Sequence, residues 1–119
     1  MAKHYQPPGI LQVPPLPRID GKTPFRQGRE LYVPSQGGVY LIHDMRGILY
    51  VGKSVDLRRR FAEHYWLGGN PYLALALANP AGDVTFSWSI AASPMRDELE
   101  VHLISAYQPP CNRLRYKEN

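Results

Sequence analysis

Seven of the chain's 12 prolines (Pro7, Pro8, Pro14, Pro15, Pro17, Pro24 and Pro34) stand within the first 35 of its 119 residues. Each proline fixes φ and removes a backbone donor, so a stretch punctuated this densely and patterned this weakly points to an extended segment rather than a packed element. The expectation is an extended, polyproline-like arm over residues 1–35 and one compact domain over residues 36–119. The 84 residues of the latter suffice for a single small core, which excludes a multidomain machine.

Charge divides along the same boundary. Of the formal net charge of +4, the arm holds +3, from Lys3, Arg18, Lys22, Arg26 and Arg29 against Asp20 and Glu30. The remainder is nearly neutral overall but locally basic at Arg46, Lys53 and Arg58 to Arg60, and again at Arg113, Arg115 and Lys117. Local cationic patches suit a polyanionic partner, although solvated surface charge explains any one of them equally well. The single cysteine, Cys111, can form no internal disulfide and no thiolate cluster for zinc, so a reducing compartment is expected. No run of about 18 apolar residues and no signal-peptide core is present, so the expectation is a soluble protein of the cytoplasm or nucleoid, with no membrane association.

Hydrophobic periodicity supplies the elements. Val39 to Ile42 and Ile48 to Val51 flank the turn-forming Asp44-Met45-Arg46-Gly47, a hairpin signature. Ser54 is a plausible N-cap for a helix over 55–66, with Asp56 in its first turn. Asn70-Pro71 opens a shorter helix through Ala78, although the Leu-Ala alternation there also fits a strand. Val84, Phe86, Trp88 and Ile90 alternate with Thr85, Ser87 and Ser89, as in a strand with one buried face. Ser93-Pro94 starts a last helix that runs to about Tyr107 and is ended by Pro109-Pro110. The order is ββααβα, a small mixed α/β domain with a three-stranded antiparallel sheet flanked by helices.

Helical spacing then singles out particular groups. Leu57, Phe61 and Tyr65 form the inward stripe of the first helix, with Arg60 and His64 four residues apart on one flank. Arg59 and Glu63 fall on the far side as a solvent pair. A snorkelling arginine beside a half-buried histidine would explain the flank without any chemistry. In the last helix Leu99, Leu103, Ile104 and Tyr107 make the apolar stripe, and Glu100 lies inside it. A carboxylate in that position is paired, protonated or bound to a metal, because burying an unpaired charge costs several kcal/mol. A buried ion pair, with Arg60 as one candidate partner, is the alternative to a metal. Asp97 and Glu98 read as ordinary first-turn acids.

Gly38-Val39-Tyr40 and Tyr50-Val51-Gly52, ten residues apart from tyrosine to tyrosine, resemble the paired signatures of the GIY-YIG nuclease superfamily. The resemblance continues through Gly52-Lys53-Ser54, Asp56-Leu57, Arg60 ten residues after Tyr50, and His64. It closes with Glu100, Leu103-Ile104, Pro109 and Asn112. Valine replaces isoleucine in both tripeptides, and Cys111 precedes the asparagine where an aromatic residue or leucine is commoner; neither change removes a chemical group.

The resemblance implies a DNA endonuclease that hydrolyses phosphodiester bonds with Mg²⁺ or Mn²⁺. It assigns Tyr40 or Tyr50 as general base, Arg60 to the scissile phosphate, His64 to orient or deprotonate a tyrosine or water, and Glu100 as the metal carboxylate. Lys53, Arg58, Arg60 and Asn112 are the expected DNA contacts, although capping the end of the last helix is an equal role for Asn112. The two tyrosines can share one sheet face only if Tyr40 lies opposite, or two residues from, Tyr50. A catalytically inactive nucleic-acid-binding or interaction module on the same fold is the competing reading. The arm has no counterpart in the family pattern and is the natural place for a homodimer contact or a targeting partner.

Overall fold

A computed structural model of the protein describes residues 18–66 and 69–112. The outer part of the arm and the basic residues Arg113, Arg115 and Lys117 lie outside the described residues. Four strands, β1 (Gly21–Pro24), β2 (Gly38–Asp44), β3 (Gly47–Ser54) and β4 (Thr85–Ile90), form one antiparallel sheet in the order β1-β4-β2-β3. Helices α1 (Leu57–Trp66), α2 (Pro71–Ala78) and α3 (Met95–Tyr107) flank it, with short 3-10 turns at Arg29–Tyr32 and Pro110–Asn112.

The sheet therefore has four strands rather than the expected three, and the added strand comes from the proline-rich stretch. β1 is an outer strand, so Pro24 at its end costs the ladder nothing. Gly21 lets the Trp88 ring lie against the backbone: a Cβ there would stand 2.3 Å from Trp88 Cζ2. Phe25 follows into the core, 4.8 Å from the Phe61 ring and 6.1 Å from Phe86. Val33 is fully buried, and its carbonyl accepts a 2.8 Å hydrogen bond from Arg58 Nε. Four residues without apolar alternation give no strand signal in sequence; pairing with β4 is what makes them one.

β4 also differs from its sequence pattern. Both its faces are covered, with Ser87 and Ser89 each only 4% exposed. The strand lies between β1 and β2, and its hydroxyls are used: Ser87 Oγ is 2.8 Å from His43 Nε2, and Ser89 donates to the Arg18 carbonyl. Buried hydroxyls with partners carry little penalty.

The two sheet faces carry separate cores. Tyr40, Ile42, Phe86 and Trp88 pack with Leu57 and Phe61 of α1 and Leu73 of α2. Val39, Leu41 and Val51 pack under Leu103 and Ile104 of α3. Local caps fix the helices between them. Asp56, not Ser54, caps α1, its Oδ1 accepting from Arg59 N at 3.1 Å, while Ser54 Oγ accepts from Asp56 N. Asn70 Oδ1 accepts from Tyr72 N and Leu73 N, which resolves the Leu-Ala segment as a helix. No helix of the described residues is long and apolar enough to cross a membrane.

Because Phe25 is buried between α1 and β4, Phe25→Ala is expected to destabilise the fold by about 3–5 kcal/mol, the cost of truncating a core phenylalanine. Urea unfolding would measure it. A loss below about 1 kcal/mol would mean that this segment is only loosely held.

Candidate active site

The β2–β3 register decides the site. Tyr40 pairs with Gly52 and Ile42 with Tyr50, so the two tyrosines are diagonal neighbours on the same face, ring centroids 6.1 Å apart. Tyr40 lies across β3 because the residue opposite has no side chain: a Cβ on Gly52 would stand 2.3 Å from Tyr40 Oη and 2.4 Å from its Cζ. That crossing brings the hydroxyl to α1, where Tyr40 Oη and His64 Nε2 share a 2.6 Å hydrogen bond. The imidazole stands edge-on between both phenols, its centroid 5.5 Å from Tyr40 and 5.4 Å from Tyr50.

The electrostatics follow from burial. Tyr40 is fully buried, and desolvation first, then the charge of Tyr50, push its pKa well above the usual tyrosine value, against an opposing pull from Arg60. Tyr40 is thus held protonated at neutral pH. His64 is lowered from 6.5 to about 4, chiefly by burial and then by the Arg60 charge, and is neutral. Tyr50 is half-buried and is the more accessible of the two phenols.

Arg60 sits one turn before His64, and Arg60 Nε lies 2.9 Å from Glu63 Oε1 in an ion pair not aligned as a hydrogen bond. Arg59 Nε is 3.7 Å from the other oxygen of the same carboxylate. Glu63, expected to face Arg59 in solvent, is therefore shared with Arg60. Tyr65, expected in the buried stripe, is 37% exposed, although its ring still meets Phe25 edge-on at 5.7 Å.

Glu100 approaches from the opposite side. Val51 and Lys53 point to the α3 face of β3, and Glu100 is 1% exposed there, with Oε1 3.9 Å from Lys53 Nζ. Lys53 makes a closer contact, 2.9 Å, with Asp97 Oδ1, and Ser93 Oγ donates to Asp97 Oδ2 at 2.6 Å. Ser93 thus binds a side chain rather than capping α3, and Asp97, a first-turn acid as expected, also pairs with Lys53.

The other two expected DNA contacts are engaged within the fold. Arg58 donates to the carbonyls of Val33 and Leu31. Asn112 is 1% exposed, its Oδ1 accepting from Val51 N and its Nδ2 donating to Val51 O, both at 2.9 Å. The amide extends the sheet by one residue along the outer edge of β3.

Among the described residues no three His, Cys, Asp or Glu side chains gather as a metal cage. A single buried carboxylate such as Glu100 suits a hard cation that keeps most of its waters, such as Mg²⁺ or Mn²⁺, and not zinc, which takes several nitrogen or sulfur ligands.

Residues 36–115 match the family model described as the GIY-YIG catalytic domain. The chain belongs to the GIY-YIG family. It is 34% identical over 83 residues to UvrABC system protein C of Zymomonas mobilis, covering 69% of this chain and 12% of that protein. It is also 34% identical over 87 residues to the same protein of Nitrosomonas europaea, covering 71% of this chain and 14% of the relative. The chain thus spans only a small part of the length of these relatives. The GIY-YIG N-terminal endonuclease domain of UvrC from Thermotoga maritima, solved with magnesium, superposes with a TM-score of 0.58 at 20% identity, over 71% of this chain and 91% of that one. That likeness establishes the fold.

The geometry carries two expectations. Gly52→Ala should displace the Tyr40 ring and break its bond to His64, lowering stability by about 1–3 kcal/mol, as for an overpacked core. Thermal unfolding and the tyrosine and histidine NMR signals would show it. His64, with its pKa lowered in the fold, contributes stability that is complete above pH 6.5 and declines as pH falls from 6.5 to 4, because the unfolded chain takes up the proton first. The decline attributable to this group is on the order of 3 kcal/mol. His64→Phe should remove it from the pH profile of the urea midpoint.

Proposed function

We propose that the chain is a divalent-metal-dependent endonuclease that hydrolyses phosphodiester bonds in DNA, with Tyr50 as general base. The observation that carries this reading is the arrangement of Tyr40, Tyr50 and Arg60 around one neutral histidine on a single sheet face. Hydrolysis needs an acceptor for a water proton, a cation beside the scissile phosphate, and stabilisation of the leaving oxygen.

Tyr40 is unsuited to the first task, because its phenol is buried and holds its proton. Tyr50 is half-buried beside the same imidazole, so a phenolate there can take the proton of a water that attacks phosphorus as the phosphorus–oxygen bond to the leaving group breaks. Tyr40 and His64 act as a neutral hydrogen-bonded pair that fixes the ring plane against which Tyr50 packs. Arg60 supplies a permanent charge and planar donors for the phosphate, and DNA would have to displace its Glu63 partner.

Glu100 would hold Mg²⁺ or Mn²⁺, which when bound adds positive charge beside the phosphate. Lys53 is the second assigned DNA contact. Asn112 and Arg58 are positioning residues, holding the β3 edge and the segment before β2. Tyr50 and Lys53 lie on opposite faces of β3, and in this reading both address one substrate. Contact with a second copy of the chain or with a targeting partner is assigned to the N-terminal arm, residues 1–35.

Incubation of supercoiled and branched DNA with Mg²⁺ tests the reading. Arg60→Ala, Glu100→Ala and Tyr50→Phe should each cut at least about 100-fold more slowly, the scale of one electrostatic or acid–base group. Tyr40→Phe should retain more activity than Tyr50→Phe. Intact DNA with the unmodified chain would exclude catalysis, and a Tyr50→Phe variant as fast as wild type would exclude this tyrosine as base.

A further inference from the structure

We infer that Asp97 is a positioning residue that holds the Lys53 ammonium away from Glu100, so that the lysine competes less with a divalent cation for the buried carboxylate. The inference rests on the reading of Glu100 as the metal ligand and adds a residue that the family resemblance does not include.

The geometry is a competition between two carboxylates for one ammonium. Lys53 Nζ lies 2.9 Å from Asp97 Oδ1 and 3.9 Å from Glu100 Oε1. Asp97 is held in place on its other side, where Ser93 Oγ donates to Oδ2 at 2.6 Å. The carboxylate is thus fixed from both ends, by a hydroxyl just ahead of α3 and by a cation on β3. Glu100 follows Asp97 by three residues on the same helix, so both acids lean toward the same strand.

The two acids differ in exposure. The Asp97 side chain is 44% exposed and that of Glu100 is 1% exposed. An ammonium in contact with Glu100 would form the more desolvated pair, and removing it in favour of a hydrated cation would be correspondingly harder. With Asp97 in place the lysine is retained about an ångström farther away. There it can also reach a substrate phosphate.

Without the Asp97 charge, Glu100 is the anionic neighbour left to the lysine among the described residues, and the ammonium closes on it. The predicted consequence is weaker metal binding. Asp97→Asn keeps the size and the hydrogen-bonding capacity toward Ser93 while removing the charge.

The test is a double-substitution cycle read by electron paramagnetic resonance of Mn²⁺ binding to the full chain without DNA, with far-UV circular dichroism to confirm folding. Asp97→Asn should weaken Mn²⁺ binding by about three- to tenfold, the size of one partly exposed ion pair. In a Lys53→Met background the same substitution should change binding less than about twofold, because the competitor is gone. The Mg²⁺ concentration for half-maximal DNA cleavage should rise in Asp97→Asn, with the rate at saturating Mg²⁺ falling much less.

Equal weakening in both backgrounds would show that Asp97 acts on the cation directly by its charge, and would overturn the inference. Wild-type Mn²⁺ affinity in Asp97→Asn would overturn it too. Glu100→Gln separates the underlying reading: if it binds Mn²⁺ as tightly as wild type, Glu100 is not the ligand and the metal assignment fails first.

Discussion

The site depends on one close approach, the Tyr40 ring lying over the backbone of Gly52. A side chain at residue 52 would occupy the place of the phenol. With hydrogen there, Tyr40 crosses β3 and reaches His64 on α1, and the imidazole is then shared edge-on with Tyr50. The third position of the second tripeptide thus has a steric task tied to the third position of the first. The β2–β3 ladder enforces it, since a slip of one residue would send one tyrosine to the α3 face.

Burial sets what each group can do. Desolvation raises the pKa of Tyr40, deep in the core, and the histidine beside it is kept neutral by the same desolvation and by Arg60. Such a pair is well suited to hold geometry. The chemically adaptable groups, Tyr50, Lys53 and Arg60, are the half-buried ones around it. The sheet separates Glu100 from the phenols, and β3, whose residues face both sets, is an outer strand.

The N-terminal stretch shows why a composition-based boundary is not a structural one. The density of prolines there suggested an extended arm rather than a packed element, yet Gly21–Pro24 pairs with β4 at the sheet edge, and Phe25 and Val33 are part of the core. Edge strands tolerate proline and need no alternation of their own when a neighbour supplies the ladder. With that strand in place β4 is internal, which is why its serines are buried and bonded rather than solvated.

Sequence alone determined the hairpin and the first and last helices, because periodicity and turn chemistry are local, and the distinctive spacing of Tyr40, Tyr50, Arg60, His64 and Glu100 nominated the candidate residues. Spacing also placed Glu100 on an inward stripe, where burial demanded a partner. Tertiary structure decided the fourth strand, the shared use of Glu63, the two-sided bond of Asn112 to Val51, and the choice of Lys53 and Asp97 as neighbours of Glu100. Each of these joins elements distant in sequence or turns on where a flexible side chain settles. Register and ion-pair choice are global properties: they follow from how the strands and helices pack, and no local run of residues encodes them.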